Sequence, residues 1–594
     1  MATYKAPLRD MHFVLDELLH AEELATLPGY EEATPDIFEA VLEEGAKLCE
    51  TMLFPLNRSG DEEGCVYENG VVRTPKGFKE AYDTFTEGGW TALAADPAYG
   101  GQGLPKTLGF VFEEMICSSN LSFGMYPGLS GGAYNAIAAH GDDAIKARYL
   151  PKLVDGSWSG TMCLTEPQCG TDLGLVRTKA VPAEDGGYTI NGTKIFISAG
   201  EHDLTENILH LVLARLPDAP AGIKGISLFL VPKCLPTDDG AVGPANGVRC
   251  GAIEHKMGIK ASSTCVINFD DAKGWLVGAP NEGMRCMFTM MNTARLGVGI
   301  QGLGLAEAAY QGARDYALER VQGRALTGAR HPEQSADPII VHPDVRRMLL
   351  TAKANTEAAR ALAYWVGMQI DISEKHPDGE TRAAAKDLVD LLTPIVKAYF
   401  TDMGFDAANI GVQVYGGHGY IRENGMEQYI RDARITQLYE GTNGIQALDL
   451  VGRKLPRHMG RLLRRFFHPA AALIEEHKGD AAMAEFVKPF AKAFGRLQEA
   501  TSLIAQKGLA DPEEAGAAAT DYLRLFALVV LAFMWLRMAA VAQAKVDGDE
   551  GGFYRAKLAT GRFFMTRLLP ETGSLLDAIK AGKAPLMALE DTAF

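Results

Sequence analysis

The sequence lacks several features that would each define a class of protein. None of its nine cysteines forms a Cys-x-x-Cys pair, so neither a disulfide framework nor a cysteine-ligated metal site is predicted. Basic residues are in deficit, because 58 Lys and Arg stand against 75 Asp and Glu, a net charge of −17. Since nucleic acid is bound through basic surfaces, this balance argues against a general nucleic-acid-binding protein.

Long apolar runs are missing as well. The first twenty residues contain no continuous apolar segment, so we expect no secretory signal and a cytoplasmic protein with reduced thiols. The best membrane candidate, 525–536, holds only twelve uncharged residues, whereas a membrane-spanning helix needs about 20. We therefore expect a buried core helix at 525–536 and no membrane span.

What remains is a long, ordinary globular composition with uneven charge. The chain has 594 residues, 47% hydrophobic and 22% charged, which predicts several domains. Residues 1–70 carry 16 Asp and Glu against 4 Lys and Arg, a net −12 that predicts a solvated acidic surface. Residues 455–594 net only +2, so no basic tail is present.

Hydrophobic periodicity changes twice along the chain. It predicts a fold that is mainly α with one central β domain, rather than a doubly wound sheet, in which strands and helices would alternate throughout. Within the β domain, the Asn191-Gly192 pair between two apolar runs predicts a hairpin turn. The predicted segments are an acidic N-terminal helical extension at 1–75, a helical domain at 76–160, a β domain at 161–280, a helical bundle at 281–455 and a helical extension at 456–594.

Two familiar motifs occur without the context that they need. Gly297–Gly302 fits G-x-G-x-x-G, but it lies inside a long helical pattern instead of following a strand, so we interpret it as close helix packing. Gly128–Gly132 fits G-x-S-x-G, but no strand precedes it as a nucleophile elbow requires. Neither motif supports a dinucleotide-binding domain or a hydrolase.

Three other segments gather residues suited to catalysis and ligand binding. The loop at 163–172 ends an apolar run in hydroxyls, acids and a glycine, which can offer donors to a polar ligand. The glycine-rich segment at 413–420 lets a ligand approach the backbone closely. Glu440 ends an apolar helical pattern and is followed at once by Gly441, a position suited to a general base.

Together these segments resemble the acyl-CoA dehydrogenase family over residues 76–455. The matching segments are PAYGGQG at 97–103, HGDDAIKARYLPKL at 140–153, LTEPQCGTD at 164–172, YTINGTKIFISAG at 188–200, KMGIKAS at 256–262, QVYGGHGYIRENGMEQYIRDARI at 413–435 and YEGTNGIQ at 439–446. The resemblance implies an N-terminal helical domain, a middle β-barrel-like domain and a C-terminal helical bundle. It also implies FAD as the cofactor, no metal, and an acyl-CoA thioester as the substrate.

The resemblance implies a role for individual residues. Glu440 stands at the position of the catalytic base. A minority of the family places its base just before a substrate-binding Arg; that Arg resembles Arg295, and the preceding Ala294 cannot accept a proton. The FAD-contact positions are matched by Met162, Thr165, Phe196, Ser198, Arg320, Gln413, Gly416, Gly417 and Thr442. The substrate-contact positions are matched by Thr171, Arg295, Tyr439 and Gly441.

Some positions depart from the family pattern. The segment Arg320–Gly323 is one residue shorter than the usual Arg-x-x-Phe-Gly and lacks the Phe. Asn292 replaces an Asp three positions before Arg295, and Gly444 stands where many members have a FAD-contacting Gln. Contacts to CoA and FAD at these positions are expected to differ from those of other members.

The two extensions, with the segments TEPQCGTDLGLVRTKA at 165–180 and ALERVQGR at 317–324, resemble a long bacterial subgroup of the family that includes an enzyme of dimethylsulfoniopropionate breakdown. This implies oxidation of 3-methylmercaptopropionyl-CoA to methylthioacryloyl-CoA, with electrons passed to an electron-transfer flavoprotein, and a homodimer in which the C-terminal extension replaces a second dimer. The alternatives are a general short- or medium-chain acyl-CoA dehydrogenase, an acyl-CoA oxidase, or a flavin-containing DNA-binding protein of the same fold. The last requires a basic C-terminal region, which this chain lacks.

Overall fold

A computed structural model describes residues 3–594. The helices are α1 Leu8–His12, α2 Pro35–Leu48, α3 Phe54–Glu63, α4 Phe78–Glu87, α5 Lys106–His140, α6 Asp143–Val154, α7 Gly283–Glu319, α8 Pro343–Lys375, α9 Gly379–Tyr415, α10 Met426–Thr436, α11 Asn443–Asp449, α12 Arg461–His477, α13 Ala484–Ala510, α14 Pro512–Lys545, α15 Phe553–Phe563 and α16 Thr572–Ala581. The strands are β1 Val66–Glu68, β2 Val71–Arg73, β3 Trp158–Cys163, β4 Lys179–Pro182, β5 Tyr188–Ser198, β6 Asn207–Arg215, β7 Ile226–Pro232, β8 Cys234–Pro236, β9 Val242–Ala245, β10 Val248–Ile253 and β11 Thr264–Val277. The predicted class, mainly α with a central β domain, is confirmed.

The chain forms two compact units, each built from separated stretches of sequence. Unit 1 comprises residues 1–46, 105–118 and 298–594, and unit 2 comprises residues 47–104 and 119–297. The kink of α5 at Asn120, where the backbone leaves helical geometry, lies beside one of the crossings between them. The domain limits predicted from the sequence divide the chain into consecutive segments, whereas these units combine separated ones. Those limits stay a prediction.

Unit 2 contains the β domain, whose strands close into a barrel-like sheet. Strand β11 pairs with β5 and β7, β6 pairs with β7 and β4, and β4 pairs with β5, which completes the circle. Side chains alternate along β6: Leu209, Leu211 and Leu213 join one apolar cluster, while Val212 and Ala214 join the other. This period of two explains how one strand serves two cores.

The hairpin predicted at Asn191-Gly192 is wrong. Both residues lie inside the continuous strand β5, which pairs with β4 on one side and β11 on the other. Asn191 exchanges hydrogen bonds with Asp271 of β11, and a Cβ at Gly192 would lie 2.4 Å from Thr178 Oγ1. Glycine is therefore required here for close approach of a neighbouring segment, and not for a turn.

Unit 1 is built from long helices, and glycines let α7 and α9 approach closely. A Cβ at Gly302 would lie 2.3 Å from the carbonyl oxygen of Phe400, and one at Gly404 would lie 2.4 Å from the carbonyl oxygen of Gly302. Residues 297–302 are helical throughout, so the interpretation of the glycine motif as helix packing is confirmed. Residues 128–132 are also helical, within α5, which excludes a nucleophile elbow there.

The long apolar helix α14 is a core element of unit 1. Its segment 525–536 is buried at every position, and the Trp535 indole N–H donates to the carbonyl oxygen of Ala354 in α8 at 3.1 Å. Of the described residues, Pro512–Gly548 form one helix long and apolar enough to cross a membrane, yet 83% of its most apolar window is buried inside the protein. The predicted buried helix is confirmed.

A buried ionic cluster joins both ends of the chain within unit 1. The Arg360 guanidinium, 1% exposed, donates to Asp10 at 2.5 Å, to Glu114 at 2.6 Å and to Glu307 at 2.6 Å. The Lys557 ammonium pairs with Asp10 and, at 2.8 Å, with Glu357. Asp10 is thus an exception to the solvated acidic surface predicted for residues 1–70.

Loss of the central cation of this cluster should destabilise the protein strongly. Arg360→Met leaves three buried carboxylates without their shared partner, which should cost about 3–5 kcal/mol. The control Arg562→Met removes the exposed pair with Glu485, which is worth about 0–1 kcal/mol. Thermal and urea unfolding of both variants measure the difference, and equal melting temperatures would contradict a structural role for the cluster.

Candidate functional site

Unit 2 holds the loop that follows β3, and a buried carboxylate organises it. Glu166 accepts hydrogen bonds from Lys194 Nζ at 2.8 Å, from the backbone N–H of Arg177 at 2.8 Å and from that of Thr178 at 3.0 Å. Burial opposes the charge on Glu166, but the Lys194 ammonium and these donors outweigh it and lower its pKa to about 2. The carboxylate therefore stays ionised and holds both ends of the loop at 164–178.

The same interactions place this loop beside strand β5. Lys194 Nζ also donates to the carbonyl oxygen of Leu164 at 2.9 Å, and the Ile195 N–H donates to that of Thr165 at 2.9 Å. Thr165 consequently lies next to Phe196, the following residue of β5.

A β-bulge then presents an aromatic ring to the surface. Ile195 and Phe196 together oppose the single residue Val266 of β11, and Phe196 adopts φ = 59° with 59% of its surface exposed. Ser198, two residues on, pairs directly with Thr264. Bulges of this kind re-aim side chains and are frequent beside active sites.

The remaining predicted residues of unit 2 lie in strand β3, in the loop that follows it and in helix α7. Thr171 is exposed in the loop after β3, and Met162 is half-buried near the end of β3. Arg295 is buried in α7 with its guanidinium carbon 5.8 Å from the Phe288 ring centroid, and Ala294 precedes it. Thr165 is brought to Phe196 and Ser198 by the pairing of the loop with β5, while Met162 lies three residues before Thr165 and pairs with Leu211 of β6.

Unit 1 brings together the predicted residues at the ends of α7 and α9. Tyr316 stacks on Tyr415 with ring centroids 4.2 Å apart, and its hydroxyl lies 2.8 Å from His418 Nδ1. Arg320 follows one helical turn after Tyr316, and its backbone N–H donates to the carbonyl oxygen of that tyrosine. Gln413 is exposed in the last turn of α9, whose C-terminus is capped by Gly416.

The backbone beyond α9 is open to a ligand. Gly416 adopts φ = 59° and ψ = −137°, a conformation that strongly favours glycine. A Cβ at Gly416 or Gly417 would meet no atom within 4 Å. Arg320, Gln413, Gly416 and Gly417 therefore share one corner that leaves its backbone accessible.

A short turn between α10 and α11 carries Glu440. Glu440 has φ = 58° and Gly441 has φ = 86°, two consecutive residues in the left-handed region. A non-glycine residue there costs about 1–2 kcal/mol. Such strain persists where the surroundings enforce it, and it is concentrated at functional sites.

The residues flanking Glu440 anchor this turn. The hydroxyl of Tyr439 donates to the side-chain oxygen of Gln301, and burial raises the pKa of Tyr439 well above its ordinary value, so it remains a neutral donor. Thr442 caps α11, its hydroxyl accepting from the Ile445 N–H at 3.4 Å. Tyr439, Glu440, Gly441 and Thr442 therefore form one contiguous group in unit 1.

Sequence reasoning missed the residues that support these groups. Glu166 and Lys194 lie in segments that carry the family resemblance, yet nothing in the sequence pairs them. Asn443, which accepts from Lys397 Nζ at 2.8 Å, and Gln446, which donates to the Glu440 carbonyl, lie directly after the predicted base. The sequence does carry one signal for such supporting residues, namely a polar residue inside an otherwise apolar strand or helix, as at Lys194 and Gln446.

Comparison with known families covers nearly the whole chain. The acyl-CoA dehydrogenase N-terminal domain matches residues 40–157, the middle domain 161–272 and the C-terminal domain 281–455. A model described as acetyl-CoA dehydrogenase C-terminal like matches residues 466–590. The chain belongs to the acyl-CoA dehydrogenase family and is an oxidoreductase that acts on CH–CH bonds.

Individual relatives share its full length. A 3-methylmercaptopropionyl-CoA dehydrogenase of Ruegeria pomeroyi is 45% identical over 96% of each chain, and a butyryl-CoA dehydrogenase of Syntrophomonas wolfei is 34% identical over 100% of this chain and 99% of its own. Among solved structures, ACDH-11 of Caenorhabditis elegans in complex with C11-CoA has a TM-score of 0.77 at 17% identity, covering 98% of this chain and 95% of its own. That structure shares the fold, extensions included.

FAD is the cofactor of this family, and the residues present fit it. The Phe196 ring offers an exposed aromatic surface for a flat ring system. Within residues 3–594, the hydroxyls of Thr165 and Ser198 beside it have no hydrogen-bond partner, which leaves them available to the polar edge of a flavin. In unit 1, taken by itself, the backbone at Gly416 and Gly417 is open, as the close approach of a ligand requires.

Breaking the Glu166–Lys194 pair should weaken FAD binding. Glu166→Gln leaves the Lys194 charge buried without its partner, at a cost of about 3–5 kcal/mol. If about 1.4 kcal/mol of this cost appears as weaker FAD binding, the dissociation constant for FAD rises tenfold. Because the pKa of Glu166 is near 2, below its ordinary 4.5, the pair contributes fully above about pH 4.5 and is lost only as pH falls toward 2.

Fluorescence titration of the apoprotein with FAD at pH 7 measures the effect. The matched control is Asp185→Asn, which removes an exposed ion pair with Lys273 on the same β domain. Unchanged FAD affinity in Glu166→Gln would show that the loop holds its place without the carboxylate.

Proposed function

We propose that this enzyme oxidises 3-methylmercaptopropionyl-CoA to methylthioacryloyl-CoA in dimethylsulfoniopropionate breakdown. The proposal is supported by the 45% identity, over 96% of both chains, to the Ruegeria pomeroyi enzyme of that name. A general short-chain activity is the second candidate, because butyryl-CoA dehydrogenases are 34% identical over nearly full length. Both reactions remove one hydrogen from Cα and one from Cβ of a thioester.

Glu440 is the base in this proposal, and the conformation of its backbone carries the assignment. Glu440 is half-buried, adopts the left-handed region and is followed by Gly441, and backbone strain of this kind is concentrated at functional sites. Gly441 has no side chain, so room is left for a substrate. Ala294, at the alternative base position, has no group that can accept a proton.

The reaction assigns separate tasks to the chain and to its cofactor. FAD, when bound, supplies the acceptor for the hydrogen that leaves Cβ as hydride. The Glu440 carboxylate takes the proton from Cα, and that C–H electron pair becomes the new C=C bond. The family resemblance assigns the Glu440 backbone N–H to the thioester oxygen, where it stabilises the developing enolate.

The electron acceptor and the assembly belong to the same proposal. An electron-transfer flavoprotein suits a dehydrogenase of this family, whereas an oxidase would pass electrons to oxygen. We infer that the protein is cytoplasmic. We also infer a homodimer, because the C-terminal extension α12–α16 packs as part of unit 1 and can take the place of a second dimer. Sedimentation equilibrium distinguishes this dimer from a tetramer.

Replacing the base should abolish turnover and leave the holoenzyme intact. Glu440→Gln keeps the size of the side chain but cannot accept the α-proton, so kcat should fall by about 10²–10⁴-fold. The control Glu499→Gln alters an exposed carboxylate that pairs with Lys580 and should keep full activity. Substantial turnover by FAD-loaded Glu440→Gln would remove Glu440 from the role of base.

The substrate is tested by comparing kcat/KM for three thioesters. We expect 3-methylmercaptopropionyl-CoA to exceed butyryl-CoA, and both to exceed octanoyl-CoA. The same enzyme, reduced by substrate without oxygen, should reoxidise slowly in air and rapidly with an electron-transfer flavoprotein. Preference for butyryl-CoA would favour the general short-chain activity, and fast reoxidation in air would favour an oxidase.

A further inference from the structure

We propose that Gln446 is a positioning residue for Glu440, and this proposal rests on the assignment of Glu440 as the base. Gln446 lies in α11, six residues beyond Glu440, and its side chain is fully buried. Its amide Nε2 donates to the carbonyl oxygen of Glu440 at 3.1 Å and to that of Gly441 at 3.3 Å. One side chain thus holds both left-handed residues of the turn.

The two ends of this turn are fixed to helix α9. The Gln437 side chain donates to Asp402 at 2.7 Å before the turn, and the Asn443 side chain donates to the same carboxylate at 2.7 Å after it. Asn443 Oδ1 also accepts from Lys397 Nζ at 2.8 Å. With the ends fixed, the orientation of the 440–441 and 441–442 peptide planes helps to decide where the Glu440 side chain points, and Gln446 holds those planes through their carbonyl oxygens.

The side-chain carbonyl oxygen of Gln446, Oε1, argues against a purely structural role for this residue. Its Oε1 is buried and has no hydrogen-bond partner among residues 3–594. An unsatisfied buried polar atom destabilises the folded state, and an apolar side chain of the same length would fill this space without that penalty. The glutamine therefore serves the two carbonyl oxygens that it donates to, rather than the packing of α11.

A role in positioning predicts a particular pattern of defects. Gln446 contacts the backbone of the base and is not assigned to substrate or FAD, so its loss should misdirect proton removal while binding survives. Catalytic rates are sensitive to displacements of about 1 Å in such groups. A residue needed only for folding would instead lower stability, FAD retention and turnover together.

The test is Gln446→Met, which keeps the length of the side chain and removes both N–H donors. We expect kcat to fall at least tenfold, while KM and the FAD dissociation constant change less than threefold. A second readout uses a 3-thiaacyl-CoA, whose β-position is sulfur and carries no hydrogen. Exchange of its α-hydrogen in D₂O, followed by mass spectrometry, reports proton removal alone and should fall in parallel with kcat.

The matched control is Gln311→Met in α7. Gln311 is also buried, and its amide bonds the backbone of Lys5 and the Glu307 carboxylate. It lies ten residues along α7 from Gln301, the partner of Tyr439, or about 15 Å. Gln311→Met should lower the melting temperature and leave kcat and α-hydrogen exchange unchanged.

Each outcome decides the proposal. If Gln446→Met lowers stability and FAD retention in proportion to kcat, or leaves α-hydrogen exchange intact, the positioning role is wrong. If Gln446→Met does not fold, the second variant is Gln446→Asn, whose shorter side chain withdraws the amide by one methylene. This variant must then show the same selective loss of kcat and of α-hydrogen exchange. Retention of exchange by Glu440→Gln would instead refute the base assignment itself, independently of Gln446.

Discussion

The burial of one guanidinium among three carboxylates is the constraint on which unit 1 depends. Arg360 in α8 is surrounded by Asp10 from α1, Glu114 from α5 and Glu307 from α7, and Lys557 from α15 extends the cluster. Each of these groups would be costly to bury alone, so the arrangement is stable only when all five helices are in place. The terminal extensions are therefore integral parts of unit 1, and not appendages of a smaller core.

A second buried pair serves unit 2 in a comparable way. The Glu166–Lys194 contact fixes the loop after β3 against strand β5, and the bulge at Phe196 then turns an aromatic ring outward. The binding surface is thus shaped by residues that do not form part of it. The groups predicted to face the flavin are placed by ionic contacts that are buried away from water, where solvent does not compete with them.

Much of this was readable in the sequence. The helical periodicity from residue 281 onward, the apolar segment of α14 and the packing role of the glycines at 297–302 were predicted because each depends on a local pattern. Asn191-Gly192 misled because this pair is typical of a hairpin turn, whereas here the glycine permits the close approach of Thr178, which no local pattern reveals. The partnership of Asp10 with Lys557 could not be predicted, since no local pattern links residues so far apart.

The distance between those partners has a consequence for synthesis. The segment that ends at residue 46 belongs to unit 1, the largest part of which, 298–594, follows unit 2 in the chain, and Lys557 emerges from the ribosome 547 residues after Asp10. At about 5–20 residues per second, the N-terminal segment waits roughly half a minute to two minutes for its partners. Its strong negative charge keeps that waiting segment soluble, while unit 2 can complete its own barrel in the meantime.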